Sequence, residues 1–96
     1  MAEMSSKQRA ALRAIAQTIE PVVYIGKEGI TDNVVSQVND ALEARELIKC
    51  SVQQNSALDE KEACEKLCTI KQAHGISVLG RKFVLYRRAK EQKIFF

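Results

Sequence analysis

The four residues Gly26-Lys27-Glu28-Gly29 stand between the apolar run Val22-Val23-Tyr24-Ile25 and a helical pattern that begins at Thr31. A turn of this composition at a strand-to-helix junction has the means to hold a phosphate. Glycine permits positive φ and the close approach of a second backbone, while the first turn of the helix offers unpaired N–H groups at the positive end of its dipole. Lys27 adds a cation. Glu28 and Asp32 oppose it, because a carboxylate repels phosphate, so the turn is electrically neutral and its grip rests on N–H donors and Lys27. The spacing excludes two familiar nucleotide loops, since neither G-x-x-x-x-G-K-[ST] nor G-x-G-x-x-G occurs.

A G-x-x-G turn is also the device by which KH domains clamp a short single-stranded backbone, largely without reading bases. The charge distribution agrees with an anionic partner. Residues 81–96 carry six basic residues against one acidic, or +5, whereas residues 1–80 carry nine basic against eleven acidic, or −2. The excess is gathered at Arg81, Lys82, Arg87, Arg88, Lys90 and Lys93, as nucleic acid would favour. Lys7, Arg9 and Arg13 on the first predicted helix extend the same surface.

Other chemistry is thinly supplied. Cys50, Cys64 and Cys68 are an odd number without a C-x₂-C pair, and read as reduced thiols, buried or flanking, rather than a disulfide framework or a zinc site with His74. His74 reads as a packed histidine near a helix end. One histidine supplies neither an oriented base for a nucleophile nor a pair of facing carboxylates, so no enzyme is expected. No cofactor and no small-molecule substrate are expected either. Tyr24 and Tyr86 could stack on exposed bases, but with alternating apolar neighbours they read as core or sheet-face residues. The low aromatic content argues against an extended base-stacking platform, and favours recognition by backbone charge and RNA shape.

The elements that must position these residues follow from periodicity. Leu12, Ile15, Ala16 and Ile19 fall on one helical stripe, with Ser5 and Gln8 spaced as a capping box and Pro21 as the stop. Val22 to Ile25 predicts a strand covered on both faces. A second helix carries Val34, Val38 and Leu42, with Thr31 as N-cap. Leu47 to Val52 predicts a strand whose Lys49 and Ser51 alternate against Ile48, Cys50 and Val52. A third helix is expected over residues 58–74, with Ala63, Leu67, Ile70 and His74 on one face and Gly75 as its left-handed stop. Ile76 to Leu79 and Lys82 to Arg87 flank Gly80-Arg81 as a hairpin with a type II′ turn. The sum is an α/β single domain over residues 1–96, ordered α-β-α-β-α-β-β, with a four-stranded mixed sheet packed with helices. Two right-handed crossovers make the first three strands parallel and the hairpin adds an antiparallel one. With no apolar run of about 20 residues and no signal-peptide pattern, the expected place is the cytoplasm, with no membrane contact.

Three blocks in this order resemble a known family: Val22 to Gly29, Ala41-Leu42-Glu43-Ala44-Arg45-Glu46-Leu47-Ile48-Lys49, and Val78-Leu79-Gly80-Arg81-Lys82-Phe83-Val84-Leu85-Tyr86-Arg87. They are similar to the YhbY family, bacterial one-domain members of the CRM (chloroplast RNA splicing and ribosome maturation) group, and the likeness runs from Ser5 to Ile94. The resemblance implies a fold similar to the C-terminal domain of translation initiation factor three, with a KH-like G-x-x-G loop. It also implies binding to ribosomal RNA in precursors of the large ribosomal subunit; plant relatives assist intron splicing. By position it assigns the loop to Gly26, Lys27, Glu28 and Gly29, and the basic hairpin to Arg81 and Lys82, with Arg87 after Tyr86. The chain departs from the family in its acidic Glu28 and its aromatic ending Phe95-Phe96. The expected protein is thus a monomeric, non-enzymatic RNA-binding factor of large-subunit assembly. The alternative is an interaction module that binds a ribosomal protein through a sheet edge or the Phe95-Phe96 end.

Overall fold

In the computed structural model, which describes residues 4–94, the elements run α1 (Ser6–Ala16), β1 (Pro21–Ile25), α2 (Asp32–Arg45), β2 (Leu47–Val52), α3 (Glu60–Lys71), β3 (His74–Leu79) and β4 (Lys82–Tyr86). This is the expected α/β order. The helix starts are set by side-chain caps, each worth about 1 kcal/mol. Ser5 and Gln8 form the predicted capping box, and the Thr31 hydroxyl accepts from the Val34 N–H. Asp59 and Glu62 form a second capping box that starts α3.

The four strands lie in the order β1-β2-β4-β3. β1 and β2 are parallel, and β4 is antiparallel to both of its neighbours. The first three strands therefore share one direction, while the last strand of the chain takes an inner place between β2 and β3. Burial gives the reason. Phe83, Val84, Leu85 and Tyr86 are all buried, so β4 needs a layer on each face, whereas β3 buries Ile76 alone.

α2 and α3 cover one face of the sheet, packing Val34, Val38, Leu42, Ala63 and Leu67 against Val23, Ile25, Ile48, Phe83 and Leu85. α1 covers part of the other face through Leu12 and Ala16 against Leu47, Ile76, Val84 and Tyr86. Ile15, predicted on the buried stripe, is 39% exposed because this smaller cluster occupies a narrower arc of α1. β1 likewise departs from its expected double cover. Val23 and Ile25 are buried, but Tyr24 is 55% exposed, since β1 is an edge strand and α1 lies farther across the sheet.

Two local expectations are corrected. α3 stops at Lys71 rather than residue 74, with Gln72 as the left-handed cap at φ +52. Ile70 is consequently 49% exposed, and His74 and Gly75 open β3 instead of closing the helix. Gly75 is glycine for a different reason: a Cβ there would stand 3.0 Å from the Cys64 Sγ and 3.4 Å from the Cys68 Sγ, so its absence lets α3 sit on the strand. The hairpin turn has positive φ at both Gly80 (+54) and Arg81 (+65), the signature of type I′ rather than type II′.

After β4 the chain is tied down by Glu46. This residue is fully buried, and its carboxylate accepts from the Ala89 N–H at 2.8 Å and the Ile94 N–H at 2.7 Å. Its carbonyl accepts from the Arg87 N–H at 3.0 Å.

Candidate nucleic-acid interface

Strand direction decides which candidate residues meet. β1 and β2 end at Ile25 and Val52, which pair, while β4 begins at Lys82 opposite Ser51. The Gln53 N–H donates to the Ile25 carbonyl at 2.9 Å, and the Val52 N–H to the Arg81 carbonyl at 2.7 Å. One end of the sheet therefore gathers the Gly26–Gly29 turn, the polar loop after Val52 and the Gly80-Arg81 hairpin tip. Gln53, Gln54, Asn55, Arg81 and Lys82 line an open depression there.

Within the turn, the Gly29 N–H donates to the Gly26 carbonyl at 3.0 Å, closing a β-turn with Lys27 and Glu28 at its exposed corners. Gly29 is buried at φ +70, where an L side chain is strained. Its amide is consumed by the turn, and the Thr31 hydroxyl already caps the Val34 amide of α2. The Gly29 and Val34 amides are therefore occupied, and the Lys27 side chain adds the positive charge of the turn. Glu28 stands beside it, as the sequence indicates.

The other predicted cations divide. Arg81 and Lys82 are exposed at the loop end. Arg13 faces a groove of about 260 Å³ on the α1 side of the sheet, together with Lys49, Lys82, Ser77 and Leu79. Arg9 donates from its guanidinium to the Gly75 carbonyl at 2.9 Å and so fastens α1 to β3; Lys7 is exposed two residues before it. Arg87 is held internally. Its guanidinium donates to the Asn39 side chain at 3.2 Å and to the Asn39 and Lys71 carbonyls at 3.4 Å, and it pairs with Glu43 at 3.5 Å. Arg88 donates to Gln92 at 2.6 Å, and Lys93 pairs with Glu91 at 3.6 Å. These C-terminal cations follow Tyr86, at the opposite end of β4 and about 15 Å from Lys82. The basic segment is not one patch.

Lys49 was legible only as a polar position alternating with Ile48 and Cys50. That alternation was its signal: it places the lysine on the sheet face away from α2 and α3, where α1 leaves room. Phe95 and Phe96 lie outside the described residues.

Cys64 and Cys68 lie on α3 and Cys50 on β2, all packed in the core between that helix and the sheet. Burial pushes Cys50 up to about 12. Cys64 and Cys68 are 4.0 Å apart; their hydrogen bond and burial raise Cys64, while the same bond and the Arg9 charge lower Cys68. Burial and Arg9 also lower His74, which pairs with Tyr86 across β3 and β4. Among the described residues no three His, Cys, Asp or Glu side chains converge as a metal would require.

The sequence and fold have relatives. Residues 4–87 match the family model of the CRS1/YhbY (CRM) domain. The chain is 39% identical over 90 residues to the probable RNA-binding protein YqeI of Bacillus subtilis, covering 94% of each chain. It is 31% identical over 94 residues to an RNA-binding protein of Haemophilus influenzae, covering 98% of this chain and 95% of the relative. A Staphylococcus aureus protein, whose solution structure was described as that of a candidate RNA binder, superposes with a TM-score of 0.79 at 42% identity, covering 95% of both chains.

Proposed function

Because the chain belongs to the CRS1/YhbY (CRM) domain family, we propose that it is an RNA-binding protein that attends the assembly of the large ribosomal subunit. In this reading it grips ribosomal RNA at the loop end of the sheet. The observation that supports the reading most directly is the convergence there of Lys27, Arg81 and Lys82, exposed and free of carboxylate partners among the described residues. Three cations on one rigid end suit a phosphate backbone better than a small molecule. The polar loop of Gln53, Gln54 and Asn55 beside them offers hydrogen-bonding groups to ribose and base edges.

The C-terminal cations play a lesser part than the segment count suggests. Arg87 holds α2 and α3 together, and Arg88 and Lys90 reach only an RNA long enough to pass the whole sheet. In this reading the protein works as a monomer in the cytoplasm.

The double substitution Lys27→Ala/Arg81→Ala tests this. Each neutralised phosphate on a single strand contributes about 0.7 to the slope of log affinity against log salt. The variant is expected to bind a large-subunit ribosomal RNA fragment more weakly, with a slope shallower by about 1.4. Unchanged affinity and slope would place the RNA elsewhere. A complex with pre-ribosomal particles that survives complete RNA digestion would favour protein contact instead.

A further inference from the structure

Among the described residues, α1 covers only part of its sheet face, and the part left open has a definite chemistry. Tyr24 pairs with Ser51, Ser51 with Lys82, and Lys82 with Leu79, so these four residues form one row across all four strands on the same face. The row lies one residue from the end of β1, directly below the Gly26–Gly29 turn. Tyr24 and Leu79 stand at its two ends, 55% and 82% exposed, which is unusual for side chains of their size. The Tyr24 hydroxyl bonds the Pro21 carbonyl of its own strand at 3.4 Å, so the ring is turned along β1.

Behind the row lies the groove of Arg13, Lys49 and Lys82. Three cations and no carboxylate line it, and none of the three has an acidic partner among the described residues. An exposed aromatic at one edge, an exposed leucine at the other and unpaired cations between them are poorly matched to a protein helix, which would want a continuous apolar stripe. They are well matched to single-stranded nucleic acid, whose bases stack on aromatic rings while its phosphates follow a positive groove.

We infer that the open face is a second RNA subsite, which takes an unpaired segment continuing from the loop end: a base stacks on Tyr24, and Lys82, Lys49 and Arg13 hold the phosphates. The inference rests on the RNA-binding reading and gives it a substrate class, an unpaired strand beside the backbone-gripping loop. Four-stranded sheets elsewhere take two or three bases in this way. With Tyr24 as its single exposed aromatic among the described residues, this face stacks fewer and discriminates little among them.

The test uses the full chain with a ten-nucleotide oligouridylate and, separately, a ribosomal RNA duplex. Tyr24→Ala is expected to weaken oligouridylate binding about tenfold, the scale of one lost base–aromatic stack, and to leave duplex binding within about twofold. Tyr24→Phe should retain the affinity and abolish the quenching of tyrosine fluorescence that the oligonucleotide causes in the unaltered protein, because Tyr86 is buried. Leu79→Asp alters a side chain that is 82% exposed, and should weaken the single strand by at least as much as Tyr24→Ala. Wild-type oligouridylate affinity in both Tyr24→Ala and Leu79→Asp overturns the subsite. If Lys27→Ala/Arg81→Ala still weakens the duplex in that case, the loop reading stands without it. A loss in Tyr24→Phe equal to that in Tyr24→Ala would assign the effect to the hydroxyl and overturn stacking. If the unaltered chain binds neither RNA, both readings fall.

Discussion

The two ends of the sheet carry similar numbers of basic residues and use them in opposite ways. At the end where β1 and β2 stop, Lys27, Arg81 and Lys82 project from turns into solvent without acidic partners among the described residues. At the end where β4 stops, Arg87 is bound to Asn39, Lys71 and Glu43, and the chain beyond it is fastened to the buried carboxylate of Glu46. One end ties the fold together and the other leaves its cations in solvent. Charge counted along the sequence cannot make that distinction, because β4 carries its two flanking arginines to opposite sides of the molecule.

The largest effect expected from this contrast is at the closed end. Glu46→Ala removes two charge-assisted hydrogen bonds from a fully buried site and strands the Ala89 and Ile94 amides, at a cost of about 3 kcal/mol or more. Urea unfolding should show it as a lower midpoint. A loss under 1 kcal/mol would mean that the C-terminal segment is not a structural tie.

Next come the two arginines that flank β4, taken together. Arg87→Ala should destabilise by about 1–2 kcal/mol and leave the salt slope of RNA binding unchanged. Arg81→Gly should do the reverse. Relief of a left-handed non-glycine residue, worth about 1–2 kcal/mol, exceeds the added chain entropy of about 0.5–1 kcal/mol, so stability rises by roughly 0.5 kcal/mol. The salt slope should become shallower by about 0.7. Equal slopes in the two variants would erase the distinction between the ends.

The smallest effect is a pH dependence at the closed end. Burial and the nearby Arg9 hold the His74 imidazole below its ordinary value of 6.5. The unfolded chain therefore takes up that proton first as the pH falls. The stability contribution is present above pH 6.5 and is lost as the pH drops from there through the depressed value. His74→Gln should flatten this part of the stability profile, and an unchanged profile would assign the dependence to another group.

The Ser5 and Thr31 caps, the helical stripes through Leu12 and Val38, and the alternation in β2 were all legible in the sequence, because each depends on residues within a few positions of one another. The end of α3 was not. Gly75 resembled a helix stop in sequence, yet it is needed by Cys64 and Cys68 packing on β3, and Gln72 took the left-handed cap. The double cover of β1 failed for a similar reason, since the exposure of Tyr24 depends on where α1 lands.

The sequence by itself determined the α/β order, the family and the turn at Gly26 to Gly29, since local propensity and short motifs specify these. The tertiary structure decided which cations stand together. Pairing places β4 between β2 and β3, so Arg81 and Lys82 join the loop, while Arg87 closes over α2 and α3. It also brings Lys49, Lys82 and Tyr24 onto one open face. Their sequence separations hold no sign of that, because only hydrogen bonding between strands fixes which residues stand side by side.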